Sequence, residues 1–327
     1  MILAADIGGT KTLLALYDLK ESRLEKVSEA RFQNRNYTNF ESVLDEYFEK
    51  GLDKPEIACL GVAGPISNGA CELTNLDWRI DQKQLEKYFK RVFLINDLVA
   101  MACATPFLKE DAFFVLQAGS PKEAGRISVV AAGTGLGQAF LVPVSGDKYQ
   151  VIDSEGGHAD FTPRNELETK LLFFLQKEFS RVSVERVVSG PGLIYMFEFF
   201  KKNLSIKGSE DWEKGLGKEK LASEIIRRGM EGQSEACEKT MGLFVELYGA
   251  LAGNLALQFM SKGGVFLGGG IAPKILPLLG QGTFMDSFLS KGRFKKFLTD
   301  IPVKVILDDK APLLGAAQFA LGNKFVC

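Results

Sequence analysis

A chain of 327 residues exceeds the size that one hydrophobic core usually serves, so two lobes with a cleft between them are expected. Its composition, 46% hydrophobic and 25% charged, is that of a soluble globular protein, and 40 basic against 41 acidic side chains leave no electrostatic footprint for a nucleic acid. Five scattered cysteines (Cys59, Cys71, Cys103, Cys237, Cys327) without metal-ligand spacing argue against a disulfide framework and a zinc site. The opening MILAADIGGT has no basic segment, and Asp6 arrives too early for a signal peptide. The apolar stretch 127–144 contains Gly133, Gly135, Gly137, Gln138 and Pro143, a combination foreign to a membrane span. A cytoplasmic protein with reduced thiols is expected.

In chain order, residues 2–5 form an apolar strand, DIGGTKT a tight turn and 13–17 a second strand, making a hairpin with glycines at its tip. Gly8 and Gly9 let backbone N–H groups approach a ligand and Thr10 adds a hydroxyl, so the tip can hold a phosphate, although a glycine hairpin alone is more often only a turn. Asp6 sharpens the reading, because a carboxylate beside a phosphate loop calls for a cation, and Mg²⁺ held through water is the natural one. Residues 39–50 form an amphipathic helix with Phe40, Val43, Leu44 and Tyr47 on one face. Strand 57–62 ends in AGPI, and LTNLDW then brings Thr74, Asn75 and Trp78, a mixture suited to a sugar and equally to a surface turn. Strand 92–95 turns into helix 98–104 and delivers Asp97 at the junction. Alone, an Asp here reads as a helix N-cap; with the phosphate-type turns elsewhere in the chain, it reads as the base of a kinase. Pro106 and the KED of 109–111 mark a crossing, giving a small lobe of 1–107 plus 311–327 and a large lobe of 108–310.

Residues 126–142 repeat the opening design around GTGLG, and two such hairpins can grip a polyphosphate from opposite sides. The P-loop pattern and GxGxxG are both absent. SEGGHADF carries Glu155 and the chain's one histidine, His158, on an exposed turn. Glu185, in SVERVVSGPG, reads by itself as a first-turn acid favoured by a helix dipole. The charged stretch 201–220 reads as a solvated loop. Residues 234–260 form a long helix with Met241, Phe244, Val245, Tyr248, Leu251, Leu255 and Phe259 at helical spacing, and Gly249, Ala252, Gly253 and Ala256 admit another backbone. This helix and the aromatic MFEFF of 196–200, taken as exposed, suggest a homodimer. GGVFLGGGIAP is a strand ending in Gly268, Gly269 and Gly270, a flat surface for a purine. Strand 303–307 and the small-residue helix APLLGAAQFAL follow, the latter expected at the lobe interface.

These motifs together resemble, over essentially the whole chain, the bacterial-type glucokinase family of the actin-like sugar kinase and heat-shock ATPase superfamily. AADIGGTKT, LINDLVA, AAGTGLG, GGVFLGGGIAP and PLLGAAQFAL are similar to its phosphate, connecting and adenosine motifs in the family's order; LTNLDW, EGGHADF and SVERVVSGPG resemble the glucokinase branch itself. The resemblance implies an α/β, two-lobed actin-like (ribonuclease H-like) ATPase fold with the active site in the interlobe cleft. It implies ATP- and Mg²⁺-dependent phosphorylation of glucose at the 6-hydroxyl, the first step of glycolysis. Asp97 becomes the general base, and Asn96, Asp97, Glu155, His158 and Glu185 the sugar ligands. ATP contacts fall to Ala5, Asp6, Ile7, Gly8, Gly9, Thr10, Gly133, Thr134, Gly135, Gly269 and Gly270. One departure is Ser154, where the pattern has Pro-Gly ahead of EGGH, which bears on the shape of that loop.

The chemistry fits the residues without the analogy, because phosphoryl transfer needs positioning and charge neutralisation more than covalent help. The related repressor and open-reading-frame kinase branch carries a zinc site of one histidine and a close cysteine cluster, which this sequence lacks. A non-catalytic sugar-sensing repressor would need a helix-turn-helix ahead of Ile2. A filament-forming relative would have no reason to keep Asn96, Asp97, Glu155 and His158 together. Within kinases another hexose, mannose or fructose, stays open.

Overall fold

The computed structural model describes residues 1–327 apart from 22, 50, 52–53, 74–75, 123, 147, 204–210, 323–324 and 327, so Thr74, Asn75 and Cys327 lie outside the described residues. The chain divides into two compact units, Met1–Glu110 with Ala139–Asp153 and Asp308–Cys327, and Asp111–Gln138 with Ser154–Leu307. This grouping of residues 139–153 with the first unit differs from the simpler division expected from the sequence.

The first unit opens with β1 (Ile2–Ile7), β2 (Lys11–Lys20) and β3 (Arg23–Gln33), paired antiparallel in turn. The helix α1 (Phe40–Phe48) starts where Asn39 accepts the Ser42 amide at 2.9 Å, and it buries Phe40, Val43, Leu44 and Tyr47 as its periodicity requires. Next come β4 (Ile57–Val62), a small ribbon of β5 (Ile66–Ser67), β6 (Ala70–Glu72) and β7 (Arg79–Asp81), the short α2 (Gln82–Leu85), β8 (Arg91–Asn96) and α3 (Asp97–Ala104). Strands β1, β4 and β8 run parallel within a sheet of order β3-β2-β1-β4-β8. Apolar β-branched runs suit this buried parallel centre. Trp78, which the sequence left open between a sugar and a surface turn, is 4% exposed in the core with Leu73 and Ile80, because an indole gains more from burial than from a surface turn.

The second stretch supplies β9 (Phe113–Gln117), β10 (Ile127–Ala132), β11 (Leu136–Ser145), β12 (Lys148–Ser154), α4 (Glu166–Leu175), α5 (Gly190–Asn203), α6 (Lys218–Met230) and α7 (Glu235–Phe259). After it come β13 (Gly264–Gly268), α8 (Leu276–Leu279), α9 (Thr283–Leu289), α10 (Lys295–Thr299) and β14 (Val303–Ile306). Its strands follow the order β11-β10-β13-β14-β9, with β10, β13 and β14 parallel. By length and composition α7 could cross a membrane, yet it is a core helix: Ser234 caps it, Met260 ends it in the left-handed region, and the Tyr248 hydroxyl donates to the Val130 carbonyl at 3.2 Å. A Cβ on Gly249 would lie 2.2 Å from the Phe284 carbonyl oxygen, so the helix admits the backbone of α9 there, as its small-residue face suggests.

Two expectations are corrected in this unit. Met196, Phe197, Phe199 and Phe200 are all 0–2% exposed, which removes the exposed aromatics on which the homodimer expectation stood. The 201–220 stretch is not uniformly a solvated loop. Trp212 sits in a one-turn 3₁₀ segment, 5.6 Å from the Phe197 ring and 4.4 Å from the Arg228 guanidinium, while Lys201 pairs with Glu213. A single tryptophan finding a partner outside its own segment leaves no periodic trace in the local sequence.

The chain closes in the first unit with α11 (Ala311–Leu321) and β15 (Phe325–Val326), the latter pairing in parallel with β12. The small residues of α11 serve contact with α3, since a Cβ on Gly315 would fall 1.7 Å from the Ala100 carbonyl oxygen.

Candidate active site

In the first unit, parallel pairing puts chemistry at one edge of the sheet. Ile7 is level with Val62, and Val62 with Asn96, so Asp6 and the Asn96–Asp97 junction share the C-terminal edge of β1, β4 and β8, about 10 Å apart at two strand spacings. Open α/β sheets offer their ligand crevices at such edges. At the end of β8 the capping duty is shared: both Asn96 Oδ1 and Asp97 Oδ1 accept the Leu98 amide at 2.8 Å. One acceptor suffices for that amide and the Asn96 carboxamide supplies it, so capping does not account for the Asp97 carboxylate. The nearby Cys71 thiol is pushed up, first by burial and then by the charge of Asp97.

The first glycine turn is closed by the Gly8 amide donating to the Lys11 carbonyl at 3.0 Å. Asn34, fully buried at the end of β3, holds it from outside: its Nδ2 donates to the Gly8 carbonyl at 2.8 Å and its Oδ1 accepts the Thr12 hydroxyl at 2.8 Å. Its backbone amide donates to the Thr10 carbonyl at 3.0 Å. Ala5 and Ile7 are fully buried, and the Ile7 carbonyl accepts the Ala63 amide at 3.1 Å, so these two can offer a ligand only main chain. Asp6 is half-buried, and burial first, with Asp309 adding, pushes its carboxyl up to about 6 against the opposing pull of Lys11. An acid so raised favours a neighbouring cation, which fits Mg²⁺.

In the second unit the EGGH segment lies against the start of β11: a Cβ on Gly157 would meet the Leu136 carbonyl oxygen at 2.0 Å. Close approach, not bareness alone, is what the paired glycines provide. Ser154 accepts the Gly156 amide at 3.0 Å and so shapes the loop where the family pattern has Pro-Gly. The Val184 amide donates to the Ala159 carbonyl at 2.9 Å and the Phe161 amide to the Val182 carbonyl at 2.9 Å, zipping the histidine loop to the segment that bears Glu185. As a result His158 Nδ1 stands 4.0 Å from Glu185 and its Nε2 3.8 Å from Glu155. Glu185 lies in a 3₁₀ turn ahead of α5, and its Oε2 accepts the Leu136 amide at 2.9 Å, which replaces the dipole reading with a specific anchor. The second glycine turn closes with the Gly133 amide on the Gly135 carbonyl at 2.9 Å, while the Gly190 amide donates to the Gly133 carbonyl at 2.8 Å. Gly269, at φ +81°, follows β13 directly; a Cβ there would strike the Ala132 carbonyl oxygen at 2.4 Å. The adenosine-type and phosphate-type glycines therefore adjoin at the ends of β13 and β10.

Each unit thus gathers its own expected residues: Asp6, Gly8–Thr10, Asn96 and Asp97 in one; Gly133–Gly135, Glu155, His158, Glu185, Gly269 and Gly270 in the other. Asn34 and Gly190 hold the two turns, and neither was marked by the sequence; Gly190 lies within the quoted SGPG, whereas Asn34 carries no motif at all. Among the described residues no group of three or more His, Cys, Asp or Glu side chains is arranged to hold a metal ion.

Known proteins fit this picture. The family model described as Glucokinase matches residues 3–323. The chain is 40% identical to the glucokinase of Trichormus variabilis, over 98% of both chains. It is 33% identical to the crystal structure of a glucokinase from an Antarctic psychrotroph, with a TM-score of 0.86 over 98% of this chain and 99% of that one. A likeness in fold, at 20% identity and a TM-score of 0.62, extends over 98% and 99% of the two chains to the ROK family glucokinase of Streptomyces griseus in complex with glucose and AMPPNP. With its mixed α/β architecture and actin-like ATPase fold, the chain belongs to the glucokinase family.

Proposed function

We propose that this chain transfers the γ-phosphoryl group of ATP to the 6-hydroxyl of glucose, giving glucose 6-phosphate and ADP as the first step of glycolysis in the cytoplasm. The observation that carries the reading is Asp97, a carboxylate at the C-terminal sheet edge whose capping role is already met by Asn96. Asp97 takes the proton of the 6-hydroxyl as that oxygen attacks phosphorus. Asn96, Glu155, His158 and Glu185 pair with the sugar hydroxyls; the carboxylates accept, and the imidazole donates or accepts. The amides of the two glycine turns take the phosphates, and Gly269 and Gly270 leave a side-chain-free surface for the purine. Asp6 would hold Mg²⁺, and the ion, when bound, would supply charge neutralisation on the phosphate oxygens.

The test is ADP release across a panel of hexoses, with and without Mg²⁺. Glucose and Mg²⁺ dependence is expected; equal or faster turnover of mannose or fructose would reassign the substrate. In the same assay Asp97→Ala should lose roughly two to four decades of turnover while glucose affinity stays within a few-fold. Near-normal turnover would remove Asp97 as the base. Light scattering of the whole 35.9 kDa chain at micromolar concentration measures whether it forms the homodimer.

A further inference from the structure

The first glycine turn poses a problem that glycine itself cannot solve. The Gly8–Gly9 peptide has no side chain on either side, so its plane can rotate at little cost, and an anion nest needs that plane fixed. In a trans peptide the carbonyl and the following N–H point in opposite directions, and no cis bond occurs among the described residues, Gly8–Gly9 included. Whatever holds the Gly8 carbonyl therefore aims the Gly9 N–H the opposite way. That holder is Asn34 Nδ2, at 2.8 Å.

Asn34 is itself fully committed. Its Oδ1 accepts the Thr12 hydroxyl at 2.8 Å, its amide donates to the Thr10 carbonyl at 3.0 Å, and its carbonyl accepts the Tyr37 amide at 3.0 Å. The Gly8 carbonyl fixes which end of the side-chain amide faces it, because a carbonyl can only accept and so takes Nδ2, while the Thr12 hydroxyl turns to donate to Oδ1. Thr12 and Asn34 are both fully buried, so water cannot substitute for either partner. We infer that Asn34 is the positioning residue of the first phosphate turn: from the end of β3 it locks the Gly8 carbonyl and so aims the Gly9 amide at the nucleotide phosphates. It touches neither substrate; it acts through Gly9 by organising a donor before ATP arrives.

The inference rests on the assignment of this turn to the phosphates, and the experiment separates the two. Steady-state constants are measured for ATP at saturating glucose and for glucose at saturating ATP, alongside thermal midpoints. Asn34→Ala should raise KM for ATP about tenfold, with KM for glucose within about twofold. Asn34→Asp keeps an acceptor for Thr12 but cannot donate to Gly8, and should behave like Asn34→Ala. Thr12→Val loosens the side chain without removing its donor and should raise KM for ATP only a few-fold. Should Asn34→Ala fail to fold, Asn34→Asp and Thr12→Val make the same comparison. Equal rises in both constants, or none, in the Asn34 variants would reduce Asn34 to packing and overturn the inference. Gly9→Val is the control for the underlying assignment: if it leaves KM for ATP unchanged, the turn does not bind phosphate. If it raises KM for ATP while the Asn34 variants do not, the positioning role alone is rejected.

Discussion

The two glycine turns are built alike and secured differently. In both, the first glycine amide is spent inside the turn and the first glycine carbonyl is gripped from outside. At Gly8 the grip is a side-chain amide, Asn34; at Gly133 it is the backbone amide of Gly190 at the start of α5. A backbone donor survives any substitution that keeps the helix in place, whereas a side-chain donor can be deleted by one codon. The charged neighbours differ as well. Glu185 is tied directly to the second turn through the Leu136 amide, so a sugar-type residue and a phosphate-type turn share one hydrogen bond; Asp6 stands beside the first turn with its carboxyl raised by burial. The first turn should therefore be tunable for nucleotide alone, and the second should couple nucleotide to sugar.

The strongest way to break this comparison is Gly135→Val. A Cβ on Gly135 would approach Glu185 Oε2 to 2.9 Å, so the substitution should displace that carboxylate and cut kcat/KM by roughly two decades for glucose and ATP together. Gly9→Val should act on the ATP constant alone. If Gly135→Val spared glucose, the link through Glu185 would carry no function.

Asp6→Asn sharpens the other side. Burial pushes the Asp6 carboxyl up to about 6 in the folded protein, while the unfolded chain releases that proton near the ordinary aspartate value of 3.8. The acid therefore costs nothing below about pH 4, erodes stability as pH rises toward 6, and costs a constant amount above. Without divalent cation, Asn should add no more than about 2 kcal/mol at pH 7.5, since the half-buried group keeps some solvent, and close to nothing at pH 4. Denaturant midpoints at the two pH values check this; an equal gain at both would mean that packing, not charge, is responsible.

The smallest expected effect belongs to Ser154→Ala, which removes the acceptor of the Gly156 amide. Stability should fall by roughly 1 kcal/mol or less, with a few-fold rise in KM for glucose and none for ATP. A change in the ATP constant of the same size would extend the coupling of the second turn to the EGGH loop.

Much of the fold was readable from local pattern. The glycine-tipped hairpin, the apolar face of α1, the strand-to-helix junction at Asp97 and the long α7 all follow from rules acting over a few residues: side-chain period, capping and turn chemistry. The candidate site residues Asp6, Asp97, Glu155, His158 and Glu185 sit inside short motifs, but the sugar roles of Glu155, His158 and Glu185 are what the resemblance of those motifs to the glucokinase family implies, since the local reading of Glu185 alone is a first-turn acid. What binds those motifs together was not readable from local pattern. Asn34 reaches Gly8 across 26 positions and Glu185 reaches Leu136 across 49, and no local rule relates residues so far apart. Burial of Phe197 with Trp212, and of Trp78 in the first core, went unread for the same cause: an aromatic side chain looks alike at an exposed dimer face, a sugar pocket or an interior until the surrounding elements are packed around it. Sequence by itself determined which chemical groups are present and in which turns they ride. Tertiary packing alone decided which carbonyls are held and which amides are aimed, because a hydrogen bond is made or lost within a few tenths of an ångström and only the assembled core sets distances that closely.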